Sequence, residues 1–212
     1  LISDSSTIVL TTHINSDGDG LGSQISFYYY LNSIGKKCRI INPTPIPDDY
    51  KIIDPKSIVE FYTEDMNDWL GKIDLVIIFD IGDYRRIGDI ASQVYGKKRS
   101  VSIDHHPSRL GAPFELDIVD CDAPATGYLV WKYFQSVGYA SNRMPLSVAN
   151  ALYTSIVTDT GSFKYQSTTS DLHIMAAQLI ECGVEGYAIQ KEIYEQRKWS
   201  QIKLLGAVID SM

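Results

Sequence analysis

Short apolar runs punctuate the first half of the chain, and apolar positions recur at helical spacing between and after them. The run Thr7–Thr11 (TIVLT) predicts a buried strand. Residues 20–34 read as a helix closed by Gly35. A second strand is expected at Lys37–Asn42, stopped by the cluster Pro43, Pro45 and Pro47. That cluster and Pro55 mark a loop-rich excursion. Leu75–Phe79 is apolar throughout, as expected of a parallel strand covered on both faces. Residues 100–104 predict another strand and 117–120 a short one. Beyond Ala125 the spacing turns helical, over 126–137, 146–158, 170–183, 186–197 and 200–212. Strands alternating with helices predict an α/β fold: a doubly wound, mostly parallel sheet followed by a helical segment. The final run, with Ile202, Leu204, Leu205, Val208 and Ile209, reads as the start of a linker helix.

Composition narrows the function classes. The 212 residues suffice for one sizeable core, or for one domain with an appendage. No stretch approaches the ~20 consecutive apolar residues of a membrane span. With 19 basic and 26 acidic side chains the net charge is −7, which argues against a sequence-independent grip on long duplex nucleic acid. Cys38, Cys121 and Cys182 are odd in number and far apart, without a C-x-x-C pair. That usage fits a reducing cytoplasm.

The chemistry concentrates where apolar runs end. After the first strand comes THINSDGDGLGS, which brings His13, Asp17 and Asp19 into a loop at the carboxyl end of a strand. An imidazole and two carboxylates there suit hard or borderline divalent cations. Two other readings compete. Asn15-x-Asp17-x-Asp19-Gly20 looks like half of a calcium loop, but the twelfth position is Ser26 rather than Glu, and a strand precedes it. Gly18, Gly20 and Gly22 approach a dinucleotide fingerprint, but Ser23 stands where its third glycine belongs. Asp80 closes the third predicted strand, where a buried carboxylate is costly unless paired or metal-bound; capping a following helix is the alternative. The next strand ends in Asp104-His105-His106-Pro107. Adjacent side chains on an extended segment diverge, so one histidine can ligate while its neighbour faces substrate. Asp159 stands at the end of an apolar helix, where an acid opposes the helix dipole. His173 and the run Tyr28-Tyr29-Tyr30 read as helix packing.

These segments, HINSDGD at 13–19, FDIGD at 79–83, DHH at 104–106 and TDTGSF at 158–163, stand in the order found in the DHH phosphoesterases. The chain resembles that superfamily over residues 5–195. Within it, the run ALYTSIVTDTGSFKY at 151–165 is most similar to the nanoRNase and 3′-phosphoadenosine-5′-phosphate phosphatase branch. The resemblance implies that His13, Asp17 and Asp80 hold one cation. It implies that Asp19, Asp80, His105 and Asp159 hold a second, with Asp80 bridging. His106 would face the scissile phosphate as a catalytic residue, with Asp104 supporting a histidine. Two divalent ions, Mn2+ foremost with Mg2+ or Co2+ as substitutes, would activate water for phosphoester hydrolysis. The expected substrates are very short oligonucleotides or phosphorylated nucleotides. A pyrophosphatase or polyphosphatase, a cyclic dinucleotide phosphodiesterase and a RecJ-like exonuclease are the alternatives within the superfamily. A non-catalytic nucleotide- or metal-binding regulatory domain is the alternative outside it. The resemblance also implies a DHH domain over 1–197, a linker helix over 198–212, and a substrate-binding module beyond Met212. It fits a cytoplasmic protein, off the membrane, and a possible homodimer.

Overall fold

Six strands form one parallel sheet: β1 Thr7–Thr11, β2 Lys37–Asn42, β3 Val59–Phe61, β4 Leu75–Phe79, β5 Arg99–Asp104 and β6 Leu116–Val119. The computed structural model describes residues 1–96, 99–107, 114–139, 144–196 and 199–212. The strand order is β3-β2-β1-β4-β5-β6, so the chain winds outward from β1, returns to β4, and winds outward the other way. Between the carboxyl ends of β1 and β4 the connections part in opposite directions. That crevice is where doubly wound sheets bind ligands.

The helices are α1 Gly18–Ser33, α2 Asn67–Leu70, α3 Ala91–Val94, α4 Thr126–Ser136, α5 Leu146–Asp159, α6 Ser170–Glu181, α7 Gly186–Tyr194 and α8 Trp199–Asp210. Alternation along the strands divides the core. Ile8, Leu10, Leu75, Ile77 and Phe79 belong to one buried cluster with residues of α1, α4, α5, α6 and α7. Val9, Ile41, Val76 and Ile78 belong to a second, thinner cluster with Leu70, Ile73, Ile87, Ile90 and Val94. Each fully buried aliphatic side chain contributes ~1.5–3 kcal/mol of hydrophobic stabilisation. The thick layer depends on close helix contact at two glycines. A Cβ on Gly22 of α1 would fall 2.2 Å from the Ala151 carbonyl oxygen of α5, and one on Gly127 of α4 would fall 2.0 Å from Ser155 Oγ.

Several elements depart from the pattern in the sequence. β3, α2 and α3 were not anticipated; each is three or four residues long, too short to show a period. Helix α1 begins at Gly18 rather than at residue 20, because the Asp17 side chain caps it. Asp19 therefore sits in the first turn of a helix, not in the loop. Residues 197 and 198, which hold the expected domain boundary, lie outside the described residues. Tyr30 is buried and its hydroxyl lies 3.2 Å from that of Tyr133, so it is a packing residue. No helix among the described residues is long and apolar enough to cross a membrane.

Candidate metal centre

The crevice between β1 and β4 gathers acids and histidines from four segments. His13, just past β1, is 3% exposed. Its Nδ1 lies 2.7 Å from the Ile14 carbonyl oxygen. A carbonyl can only accept, so Nδ1 carries the proton and Nε2 points inward. Nε2 lies 3.6 Å from both Asp17 Oδ2 and Asp80 Oδ2. Asp17 is bifunctional: its Oδ1 accepts from the Asp19 and Gly20 amides at 3.0 and 3.1 Å, which leaves Oδ2 for the crevice. Burial alone would lower the His13 pKa, but the Asp17 and Asp80 carboxylates overcome it and raise it to about 9.

Asp80 follows β4 with φ +54, a left-handed conformation uncommon for a side-chain-bearing residue. Its amide donates to Ile103 O at 3.0 Å. The carboxylate is 1% exposed and splits its oxygens between two neighbourhoods. Oδ2 faces His13, while Oδ1 lies 3.7 Å from His105 Nε2 and 3.2 Å from His106 Nδ1. Burial would raise this acid, but hydrogen bonds from His106 and His13 hold it below the ordinary carboxylate range.

His105 closes the second neighbourhood. Its Nδ1 donates to Ala123 O at 3.1 Å, so Nε2 carries the lone pair. Nε2 lies 3.2 Å from Asp159 Oδ2 and 3.7 Å from Asp19 Oδ2. Asp19 is buried and accepts from the Thr126 amide at 2.7 Å, the Gly127 amide at 3.0 Å and Ser155 Oγ at 2.5 Å. It thereby caps α4 from within α1. Burial, followed by Asp80 and Asp159, raises its pKa well above the usual value. Burial likewise lifts Asp159 to about 6, against the attraction of His105.

Asp104 and His106 are arranged differently. Asp104 Oδ2 accepts from the amides of Ile81, at 3.0 Å, and Gly82. Its Oδ1 accepts from the amide and from Nδ1 of His106, both at 2.9 Å. Burial opposes ionisation of Asp104, but these donors lower its pKa. Its oxygens are spent on protein donors, so it shapes the turn after Asp80 and orients His106. The His106 side chain is 45% exposed, and Asp104 followed by Asp80 raises it to about 10. The two histidine rings do not fan apart; they meet edge to face with centroids 4.3 Å apart.

The geometry defines two three-residue ligand sets, His13–Asp17–Asp80 and Asp19–His105–Asp159. Asp80–His105–His106 is as tightly grouped, but His106 Nδ1 is committed to Asp104. The donor set fits divalent cations. His105 Nε2 is buried and has no hydrogen-bond partner, and a lone pair facing three carboxylates suits a cation between them. Imidazole with carboxylate suits manganese and its neighbours. The calcium-loop and dinucleotide readings fail: Ser26 is a buried donor to Ser23 O, and a Cβ on Gly20 or Gly22 would strike Thr12 or Ala151. His173 is exposed on α6 and stacks on Phe163 at 5.3 Å, away from both ligand sets. Thr126, Gly127 and Ser155 went unread in the sequence although they hold Asp19. The Thr-Gly pair at the start of a predicted helix was the available signal.

Comparison with known proteins agrees with this arrangement. Residues 7–156 match the model of the DHH family, N-terminal domain. The uncharacterized protein MG371 of Mycoplasma genitalium is 29% identical over 187 residues, which cover 87% of this chain and 54% of that protein. The bifunctional oligoribonuclease and PAP phosphatase NrnA of Thermus thermophilus is 26% identical over 212 residues, covering 97% of this chain and 59% of its own. An exopolyphosphatase-related protein of Bacteroides fragilis superposes with a TM-score of 0.90 at 25% identity, covering 99% of this chain and 62% of that one. The chain thus spans little more than half the length of these relatives.

Proposed function

The chain belongs to the DHH family, and from that membership we propose a metal-dependent phosphoesterase acting on very short oligonucleotides or phosphorylated nucleotides. The observation that carries the proposal is Asp80, whose two oxygens face two separate histidine and carboxylate sets. A carboxylate so placed suits a pair of cations. Divalent ions held there supply positive charge for the phosphoryl oxygens and bring the acidity of water towards neutrality. His13 and Asp17 would hold one ion, and Asp19, His105 and Asp159 the other. Proton donation from Nδ1 to the Ile14 and Ala123 carbonyls would leave both Nε2 lone pairs available to hold the ions.

The remaining residues act on substrate and geometry. His106 is held by Asp104, which favours its protonated form, so it would offer charge to the reacting phosphate. Asp104 fixes the direction of that charge and stiffens the Ile81–Gly82 turn. The relatives of this branch support nucleotide substrates, since the Thermus protein is called an oligoribonuclease and PAP phosphatase. The test is hydrolysis of bis(p-nitrophenyl) phosphate and of the dinucleotide pApA. Turnover is expected with Mn2+ and none in chelator. A folded protein that cleaves neither with any divalent ion, or cleaves equally well in chelator, overturns the proposal.

A further inference from the structure

Asp19 differs from the other acids of the crevice in how its two oxygens are used. Oδ1 accepts from Ser155 Oγ of α5 at 2.5 Å, from the Gly127 amide of α4 at 3.0 Å and from Ser23 Oγ, one turn along α1, at 3.4 Å. Donors from three helices thus occupy that oxygen and its two lone pairs. Oδ2 accepts from the Thr126 amide at 2.7 Å and lies 3.7 Å from His105 Nε2. The Thr126 hydroxyl also approaches Asp80 Oδ1 at 3.4 Å, and that oxygen too lies 3.7 Å from His105 Nε2. One buried residue at the start of α4 therefore touches both oxygens that face His105. The fit leaves no slack, because a Cβ on Gly127 would fall on the Ser155 hydroxyl and push it from Asp19.

A carboxylate with one oxygen committed to protein donors can give a cation only the other. Calcium takes about six to eight oxygens and often draws both from one carboxylate, whereas smaller ions hold fewer ligands in stricter geometry. Around His105 Nε2 the chain offers one oxygen each from Asp19, Asp80 and Asp159. An imidazole nitrogen with a few single carboxylate oxygens suits manganese better than calcium. We propose that Ser155, Gly127 and Thr126 form a frame that limits Asp19 to one ligating oxygen, and that this frame makes the Asp19–His105–Asp159 set choose Mn2+ over Ca2+. Ser155 is a positioning residue, acting through Asp19 and touching neither ion nor substrate. The proposal rests on the reading that this set holds a cation, and adds the residues that decide which cation it holds.

Calorimetric titration of the chelator-treated chain with Mn2+ and with Ca2+ tests it, the step lost in His105→Ala marking the set concerned. The native chain should bind Mn2+ there more tightly than Ca2+. Ser155→Ala should weaken Mn2+ by about 10- to 100-fold, the scale for losing a partner that orients a metal ligand. Ca2+, which can use the released Oδ1, should weaken less, so the preference narrows. Thr154→Val is the control: the Thr154 hydroxyl is buried beside Ser155 in α5 with no hydrogen-bond partner among the described residues, and its loss should leave the preference unchanged. If Ser155→Ala does not fold, Ser23→Ala removes a longer bond to the same oxygen and should narrow the preference by less. No preference in the native chain, or a preference that these serine variants leave intact even as stability falls, overturns the frame. Two ions indifferent to Ser155→Ala would remove the frame and leave the two-ion reading standing. A single ion whose preference narrows in Ser155→Ala would do the reverse.

Discussion

At the scale of single residues the proposed function separates holding a cation from handling a phosphate, and it puts neighbouring histidines on opposite sides of that division. His105 offers an unpartnered buried nitrogen; His106 has its Nδ1 tied to Asp104. His105→Ala should weaken metal binding at one set. His106→Ala should leave metal content near that of the native chain while lowering turnover about 10²–10³-fold, the scale for loss of one electrostatic stabiliser. Metal analysis beside steady-state kinetics checks both, and the reverse pattern would exchange their roles. If Asp80 bridges two ions as proposed, Asp80→Ala would take a ligand from each, so recovery of two ions in that variant would refute the shared carboxylate. The acids and histidines were legible in the sequence because each follows the end of an apolar run. Ser155 and Thr126 were not, because their relevance arises only when α4 and α5 pack beside the crevice.

Strands and α-helices of five or more residues could be read from periodicity, and β1, β2 and β4 stand where the apolar runs place them. β3, α2 and α3 were invisible for want of length, although Leu70 and Val94 belong to the buried cluster on one face of the sheet. The glycines after Asp17 illustrate a different limit. Their spacing invites a phosphate-binding interpretation, yet they let α1 pack closely, Gly18 and Gly22 against α5 and Gly20 against Thr12. Gly22→Ala should cost about 1–3 kcal/mol, since the new methyl group meets a backbone carbonyl that cannot turn away. Gly206→Ala in α8 meets nothing within 4 Å and should be neutral or slightly favourable to helix content. Thermal melts and circular dichroism of the pair measure the difference. Equal stability of Gly22→Ala and the native chain would mean that α1 and α5 have room to part.

For the whole molecule, the charges of the crevice set how stability varies with pH when no cation is bound. His13 is raised to about 9 and His106 to about 10, so their contribution is complete below pH 6.5 and is lost as pH rises towards 9 and 10. Asp159, lifted to about 6, adds a loss between about pH 4 and 6. Asp80 and Asp104 are lowered, so their contribution is present above about pH 4 and lost in stronger acid. The chelator-treated protein should therefore melt at progressively lower temperature from pH 5 to pH 9. The gain from added Mn2+ should grow over the same interval, as ions replace protons. Melting curves with and without chelator at pH 5, 7 and 9 test this; a metal-free melting temperature that climbs towards pH 9 would contradict it.

The ligand residues are spread from position 13 to position 159, and the last of them arrives at the end of α5. A ribosome emits the chain from its amino end at ~5–20 residues per second, so Asp159 emerges roughly three to ten seconds after Asp104. Throughout that interval β1, β4 and β5 can pair and the His13 set can assemble, while the set that depends on α5 has no Asp159 and no Ser155 to steady Asp19. On the proposed two-ion function the half-made chain would be equipped for one cation and not for two, and the nascent protein would have no complete centre until its largest helical layer has closed.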